Sequence, residues 1–319
     1  MHPQLGEGAN ATDVRRSLVV ELRDRTAVWL RATGFSAERA PDHGAFLKTI
    51  ERFGLGGERT NIRPTLAVLD WSTIDTCAAD GIAMFAVLGQ QLATQRTSLL
   101  VCGPTMSDLA FILSESGIQA SEGWTRWFTA AQTPAKRVRV LGAAAVFGSS
   151  LGRGNLSSFL DSLRAGLDDL KVSGDRADFI QALATDMVQN TRAHASGAHA
   201  CALAVIEPRR RPAWIHLALA DSGPGVASHV LQLADHGRLS AFSDFTVVRA
   251  VLDQALTSRP NGSGGGFSRL AAEATSQFGG VVRVRTGTAL VCLQGSKQPK
   301  GARLSSGWGT QILASFPMS

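Results

Sequence analysis

The sequence predicts an α/β protein. Between residues 60 and 148, short β-prone runs alternate with amphipathic helical segments, the pattern of a sheet covered by helices. From 149 to 293, two helical segments lead into a hairpin, and helices and strands then alternate again. The chain has 319 residues, 44% of them apolar, which is enough for a sizeable core in one large domain or two ordinary ones.

The elements follow in chain order. Asp13 to Trp29 carries Val14, Leu18, Leu22 and Trp29 among charged residues, and this spacing predicts a helix ended by Gly34. A second short helix is expected over 44–53, before the glycines at 54, 56 and 57, so residues 1–58 read as a helical N-terminal extension. In the next unit, 59–148, Thr65 to Leu69 reads as a strand closing on Asp70. Ala79 to Ala93 reads as a helix through Ile82, Phe85, Ala86 and Leu92, and Thr97 to Cys102 as a strand stopped by Gly103-Pro104. Ser107 to Ser116 reads as a helix capped by Gly117, a loop carries Trp124 and Trp127, and Arg137 to Val140 makes a last strand. In the third unit, 149–295, helices are expected at Leu156 to Leu170 and from Asp178 through Phe179, Leu183 and Met187. Strands His199 to Glu207 and Trp214 to Ala220 form a hairpin, and helices follow at Ser243 to Leu256 and Phe267 to Phe278. Strands Val281 to Arg285 and Ala289 to Leu293 close the unit. Residues 296–319 are rich in glycine and serine and read as a tail.

Composition excludes several classes. The apolar runs are far too short for a membrane span, and Met1 to Asp13 lacks the basic-then-apolar pattern of a signal peptide. Cys77, Cys102, Cys201 and Cys292 stand apart, with no CxxC pair, so neither a disulfide framework nor a zinc site is expected. Free buried thiols suit a reducing cytoplasm. The net charge of +6 is mild, and the run of Arg209, Arg210 and Arg211 before Pro212 suits an exposed hairpin turn, so no nucleic-acid partner is expected.

Three motifs carry chemistry. Asp186, Asn190 and His194 stand four apart, on one face of a helix, where a plain solvated face is the alternative. Asp221-Ser222-Gly223-Pro224-Gly225 ends an apolar strand with a carboxylate, which can accept a hydrogen bond from an amino group such as that of adenine. Its two glycines allow a ligand close to the backbone, although an ordinary Asx turn has the same look. Asn261-Gly262-Ser263-Gly264-Gly265-Gly266 precedes a helix and offers free amides and a positive dipole end to phosphates, or else is a flexible surface loop. It is neither a P-loop nor a dinucleotide fingerprint.

In this order the motifs resemble the ATP-binding domain shared by histidine kinases, the gyrase B subunit, Hsp90 and MutL. The resemblance implies a two-layer α+β domain with a mixed sheet, binding ATP and Mg²⁺. It implies Asn190 as magnesium ligand, Asp186 as the base for water, and Asp221 as the reader of adenine with Gly223 and Gly225 behind it. It further implies Gly264 and Gly266 at the phosphates, His194 at a position where bacterial members often carry histidine, and Thr288, after Gly287, within reach of the nucleotide. The usual acid is glutamate, and Asp186 is one methylene shorter, which favours nucleotide binding over fast hydrolysis. Asp70, Ala78-Ala79-Asp80-Gly81 and the strand–helix alternation to Gly117 resemble a STAS domain, the fold of anti-sigma-factor antagonists. The serine phosphorylated in that family is replaced here by Ala79-Asp80.

The resulting expectation is a cytoplasmic bacterial regulatory protein. It binds ATP and Mg²⁺, with slow hydrolysis or transfer to a protein serine, and docks a protein partner through its STAS-like domain. The alternative is a catalytically inactive nucleotide-binding or protein-interaction module. Trp124, Trp127 and the N-terminal helix offer apolar area for a homodimer, with core burial the commoner fate of such residues.

Overall fold

The computed structural model describes residues 18–22, 25–31, 66–70, 79–94, 98–102, 139–146, 153–195, 198–207, 212–231, 242–253, 266–295, 300–303 and 309–318. The helices expected over 44–53 and 107–116, the loop with Trp124 and Trp127, the arginines 209–211 and the glycine loop 261–265 lie outside these residues.

The described residues form a mixed α/β structure with two sheets. The smaller contains β1 (Leu18–Leu22), β2 (Arg25–Arg31), β3 (Leu66–Asp70) and β4 (Ser98–Cys102) in that order. β1 and β2 are antiparallel, with Leu18 opposite Trp29 and Leu22 opposite Arg25, whereas β2–β3 and β3–β4 are parallel. Helix α1 (Ala79–Thr94) makes the crossover from β3 to β4. The hairpin at 18–31 replaces the helix expected from Asp13 to Trp29. Leu18 and Leu22 satisfy a four-residue period, but Leu18-Val19-Val20 and Ala27-Val28-Trp29-Leu30 are β-branched and aromatic runs, and pairing against β3 decides between the two.

The larger sheet has seven strands in the order β10-β9-β8-β11-β7-β6-β5. They are β5 (Arg139–Val146), β6 (Ala200–Glu207), β7 (Trp214–Asp221), β8 (Val281–Thr286), β9 (Ala289–Gln294), β10 (Lys300–Arg303) and β11 (Thr310–Pro317). Every pairing in it is antiparallel, so the mixed sheet expected for this half is not what forms; mixed pairing belongs to the smaller sheet.

Two assignments near the ends of the large sheet also change. The strand expected from Arg137 to Val140 as the last of the 59–148 unit overlaps β5, Arg139–Val146, which pairs with β6 as an edge of the large sheet. Residues 296–319, read as a tail, supply β10 and β11, and β11 lies between β8 and β7 near the middle. In β11 the side chains alternate: Ile312, Ala314 and Phe316 enter the main core, while Gln311, Leu313 and Ser315 point to the other face, and all six are buried. A strand buried on both faces carries small and polar residues where they fit between layers, which disguises its apolar pattern.

Helices α2 (Arg153–Asp169), α3 (Gly174–His194), α5 (Asp244–Leu252) and α6 (Gly266–Ser276) contribute to one core with the sheet. Leu163, Leu167, Ile180 and Leu183 are fully buried there, against Ile215, Leu217, Leu219, Val282 and Val284. Helix α4 (Val226–Leu231) follows the turn after β7. The opposite face of the sheet is covered by α1, which packs on β6, β7 and β11 and also meets β4. Its described side chains from Ala79 to Gln90 are all buried, as expected for a helix between two layers rather than on a surface. Among the described residues no helix is long and apolar enough to cross a membrane.

Candidate functional site

Helix α3 is the spine of the site. Ala177, Ile180, Leu183, Ala184, Met187, Val188 and Thr191 bury one side of it. The polar residues at 186, 190 and 194 occupy an adjoining stripe, each half-buried. The helix starts one turn earlier than the pattern indicated, at Gly174, and its last turn carries Arg192 and His194, the favourable sign for a C-terminus.

At one end of this stripe stands the start of α6. A Cβ built on Gly266 would lie 2.6 Å from Oδ2 and 2.9 Å from Oδ1 of Asp186, so only glycine lets the first residue of α6 approach this carboxylate. The negative charge therefore sits beside the amide-rich, positive end of an eleven-residue helix. Gly264 lies outside the described residues.

At the other end stands the turn after β7. A Cβ on Gly223 would lie 3.0 Å from the Cβ of Ala195, the residue that closes α3. Asp221 is 5% exposed. Its Oδ1 accepts the Gly223 amide hydrogen at 2.8 Å, and the carboxylate also accepts from the backbone of Thr310. Burial pushes the Asp221 carboxyl up to about 6, against the pull of these two hydrogen bonds, which favour the ionised form. Ser222 ties the turn to the start of β6: its amide donates to the His199 carbonyl, and its Oγ accepts from the His199 amide, both at 2.9 Å.

Gly225 has φ +84°, and a Cβ there would come within 2.6 Å of Thr286 Oγ1. That hydroxyl accepts the amide hydrogen of Val226 at 2.8 Å. Gly309 has φ +70°, and a Cβ there would overlap the Asp221 carbonyl oxygen. β7, β8 and β11 thus close around the turn, with Thr310 in register with both Asp221 and Thr286.

The structure sets Gly266 beside Asp186 at one end of the stripe and Gly223 beside Ala195 at the other, with Asn190 and His194 on the helix between them. From Asp186 to Ala195 is nine residues of helix, a rise of about 14 Å. Thr288 is different: its amide and its hydroxyl both donate to Asp244 Oδ2, at 2.7 and 2.8 Å, which fixes the β8–β9 turn to the start of α5. The threonines beside Asp221 are Thr286 and Thr310, which the sequence reading missed. Gly309-Thr310 followed by apolar residues at 312, 314 and 316 was the available signal. Sequence reasoning also passed over His229, whose ring lies 4.3 Å from that of His194.

The titratable groups here are Asp186, His194, Asp221 and His229. Among the described residues no group of three or more histidines, cysteines or acids is arranged to hold a metal ion. Asn190 and Asp186 are hard oxygen donors one turn apart, a set suited to Mg²⁺ when phosphates and water supply the other ligands. No protein-family model matches the chain, and no match was found among curated proteins.

Proposed function

We propose that this chain is a regulatory protein that binds ATP with Mg²⁺ along α3, through a domain of the kind shared by histidine kinases, gyrase B, Hsp90 and MutL. The observation that carries the reading is the placement of two ligand-type ends, the Asp221 turn and the start of α6, at opposite ends of one polar helix stripe. Asp221, buried at a strand end, accepts the amino group of adenine. The α6 N-terminus, which begins at Gly266, faces phosphate. Asn190, midway, would hold Mg²⁺, and the ion would supply charge neutralisation at the phosphates. His194 and the Gly223–Gly225 turn flank the base and sugar.

Chemistry beyond binding rests on Asp186. Its carboxylate lies against Gly266, where it also serves as a counter-charge to the helix dipole. Slow hydrolysis is the activity this arrangement supports, with Asp186 taking the proton of water. The segment with β3, α1 and β4 is a STAS-like regulatory module that docks a protein partner. A non-catalytic, nucleotide-gated binder is the second reading, favoured by the structural contact that Asp186 makes with α6.

The test is a titration of the full chain with a fluorescent ATP analogue, with Mg²⁺ and with EDTA. Saturable binding that weakens at least tenfold in Asn190→Ala supports the reading. Absence of saturable binding by the wild type removes it. Phosphate release by the wild type, lost in Asp186→Ala with binding kept, separates the enzyme from the binder.

A further inference from the structure

The face of the large sheet opposite the site holds a buried charge cluster. Arg285 of β8 is 2% exposed, and among the described residues none of its three guanidinium nitrogens has a hydrogen-bond partner. Asp80, in the first turn of α1, is fully buried and provides the charge attraction that Arg285 feels. Gln311 of β11 is 2% exposed and pairs in register with Arg285; its Nε2 stands 3.5 Å from the Asp80 carbonyl oxygen. A guanidinium buried without hydrogen bonds depends on a nearby carboxylate, and removing that carboxylate leaves a strongly unfavourable buried charge.

The position of this cluster gives it a consequence. Side chains alternate across a strand, so the neighbours of Arg285 and Gln311 in sequence face the other way. Those neighbours are Thr286, which accepts the Val226 amide, and Thr310, whose backbone donates to Asp221. Of the strands that form the back of the Asp221 turn, β7 and β11 are thus packed directly by α1, and β8 pairs beside β11. Helix α1 belongs by connectivity to the smaller sheet, as the β3–β4 crossover.

We propose that the buried cluster of Asp80, Gln311 and Arg285 couples α1 to the site: docking of α1 on the large sheet sets the geometry of the turn 221–226, so that a partner that displaces α1 loosens the ligand site, and a ligand at the site strengthens α1 docking. Arg285 and Asp80 are positioning residues in this device. The coupling is reciprocal by thermodynamic necessity. Its ligand arm rests on the nucleotide reading above; its structural arm does not.

The test uses the full chain and two readouts. Amide hydrogen exchange without nucleotide is compared for the wild type, Arg285→Met and Arg285→Lys. The expected result is exchange at 222–226 at least fivefold faster in Arg285→Met, unchanged exchange in the α2 and α3 core, and wild-type behaviour in Arg285→Lys. If Arg285→Met does not fold, the double variant Asp80→Asn with Arg285→Met, which leaves no lone charge, takes its place and is expected to show the same local acceleration. Unchanged exchange at 222–226 in a folded variant, or an equal rise across the whole chain, overturns the proposal. A titration with the Mg²⁺ complex of the ATP analogue follows, with at least fivefold weaker binding expected for the variant that loosens the turn. If the wild type binds no analogue, the nucleotide reading falls, while the exchange data still decide the coupling. If the wild type binds and the loosened variant binds equally well, the coupling is overturned and the nucleotide reading stands.

Discussion

Replacing Asp221 with asparagine removes a charge that the fold holds at a cost. Burial raises this carboxyl from 3.8 to about 6, so the native state retains its proton at pH values where the unfolded chain has lost it. Between roughly pH 4 and 6 the native state binds more protons, and stability falls as pH rises through that window. The contribution is fully present below the unfolded value and lost above the folded one. A shift of about two units corresponds to about 3 kcal/mol at neutral pH. The group is 5% exposed, so solvent screening discounts this little. An asparagine keeps an oxygen for the Gly223 amide but imperfectly replaces the second acceptor, facing Thr310, a loss of about 1 kcal/mol. The net expectation is that Asp221→Asn is about 2 kcal/mol more stable than wild type at pH 8 and equal to it or slightly less stable at pH 4.5. Equilibrium urea unfolding, followed by the fluorescence of the six tryptophans, at pH 4.5, 5.5, 6.5 and 8 reads the difference. A difference that does not change with pH, or a variant less stable at pH 8, would refute the reasoning. Under the proposed function the same variant is also expected to lose affinity for adenine nucleotide.

Other perturbations have equally definite outcomes. Gly266→Ala forces a Cβ to within 2.6 Å of the Asp186 carboxylate and should lower the melting temperature; combining it with Asp186→Ala should restore most of the loss, which a double-mutant cycle by thermal unfolding will show. Gly309→Ala meets the backbone of Asp221 with φ at +70°, and should cost at least about 2 kcal/mol in urea unfolding because no side chain can yield. Thr286→Val leaves the Val226 amide without its acceptor; a loss of about 1 to 3 kcal/mol and faster exchange of that amide are expected. Cys201 is buried, with its thiol pushed up to about 12, so iodoacetamide should label it only after denaturant unfolds the chain.

What the sequence made legible was what local spacing determines. The long helices at 79–94, 153–169 and 174–194 were readable because an apolar stripe repeats at 3.6 residues, and the Asp221 turn because glycines at 223 and 225 mark close approaches. Long-range pairing was not legible. Leu18 and Leu22 fit a helix and a strand alike, and only pairing of β2 with β3 selects the strand. β11 was hidden because Gln311 and Ser315 face a second buried layer, which the sequence does not announce. Thr288 looked like a site residue by its place after Gly287, but register places Thr286 and Thr310 beside Asp221 and leaves Thr288 to Asp244. Asp80 and Arg285 are 205 positions apart, and nothing local in either segment indicates that both are buried beside Gln311.

The most direct measurement is a calorimetric titration of the full chain with ATP and, separately, with GTP in the presence of Mg²⁺. Under the proposed function Asp221 would accept from the amino group of adenine, where guanine presents a carbonyl oxygen that a carboxylate repels. Saturating heats with ATP and none with GTP are the predicted result; no saturation with ATP, or equal affinity for the two nucleotides, would contradict the assignment of Asp221 and of the site built around it.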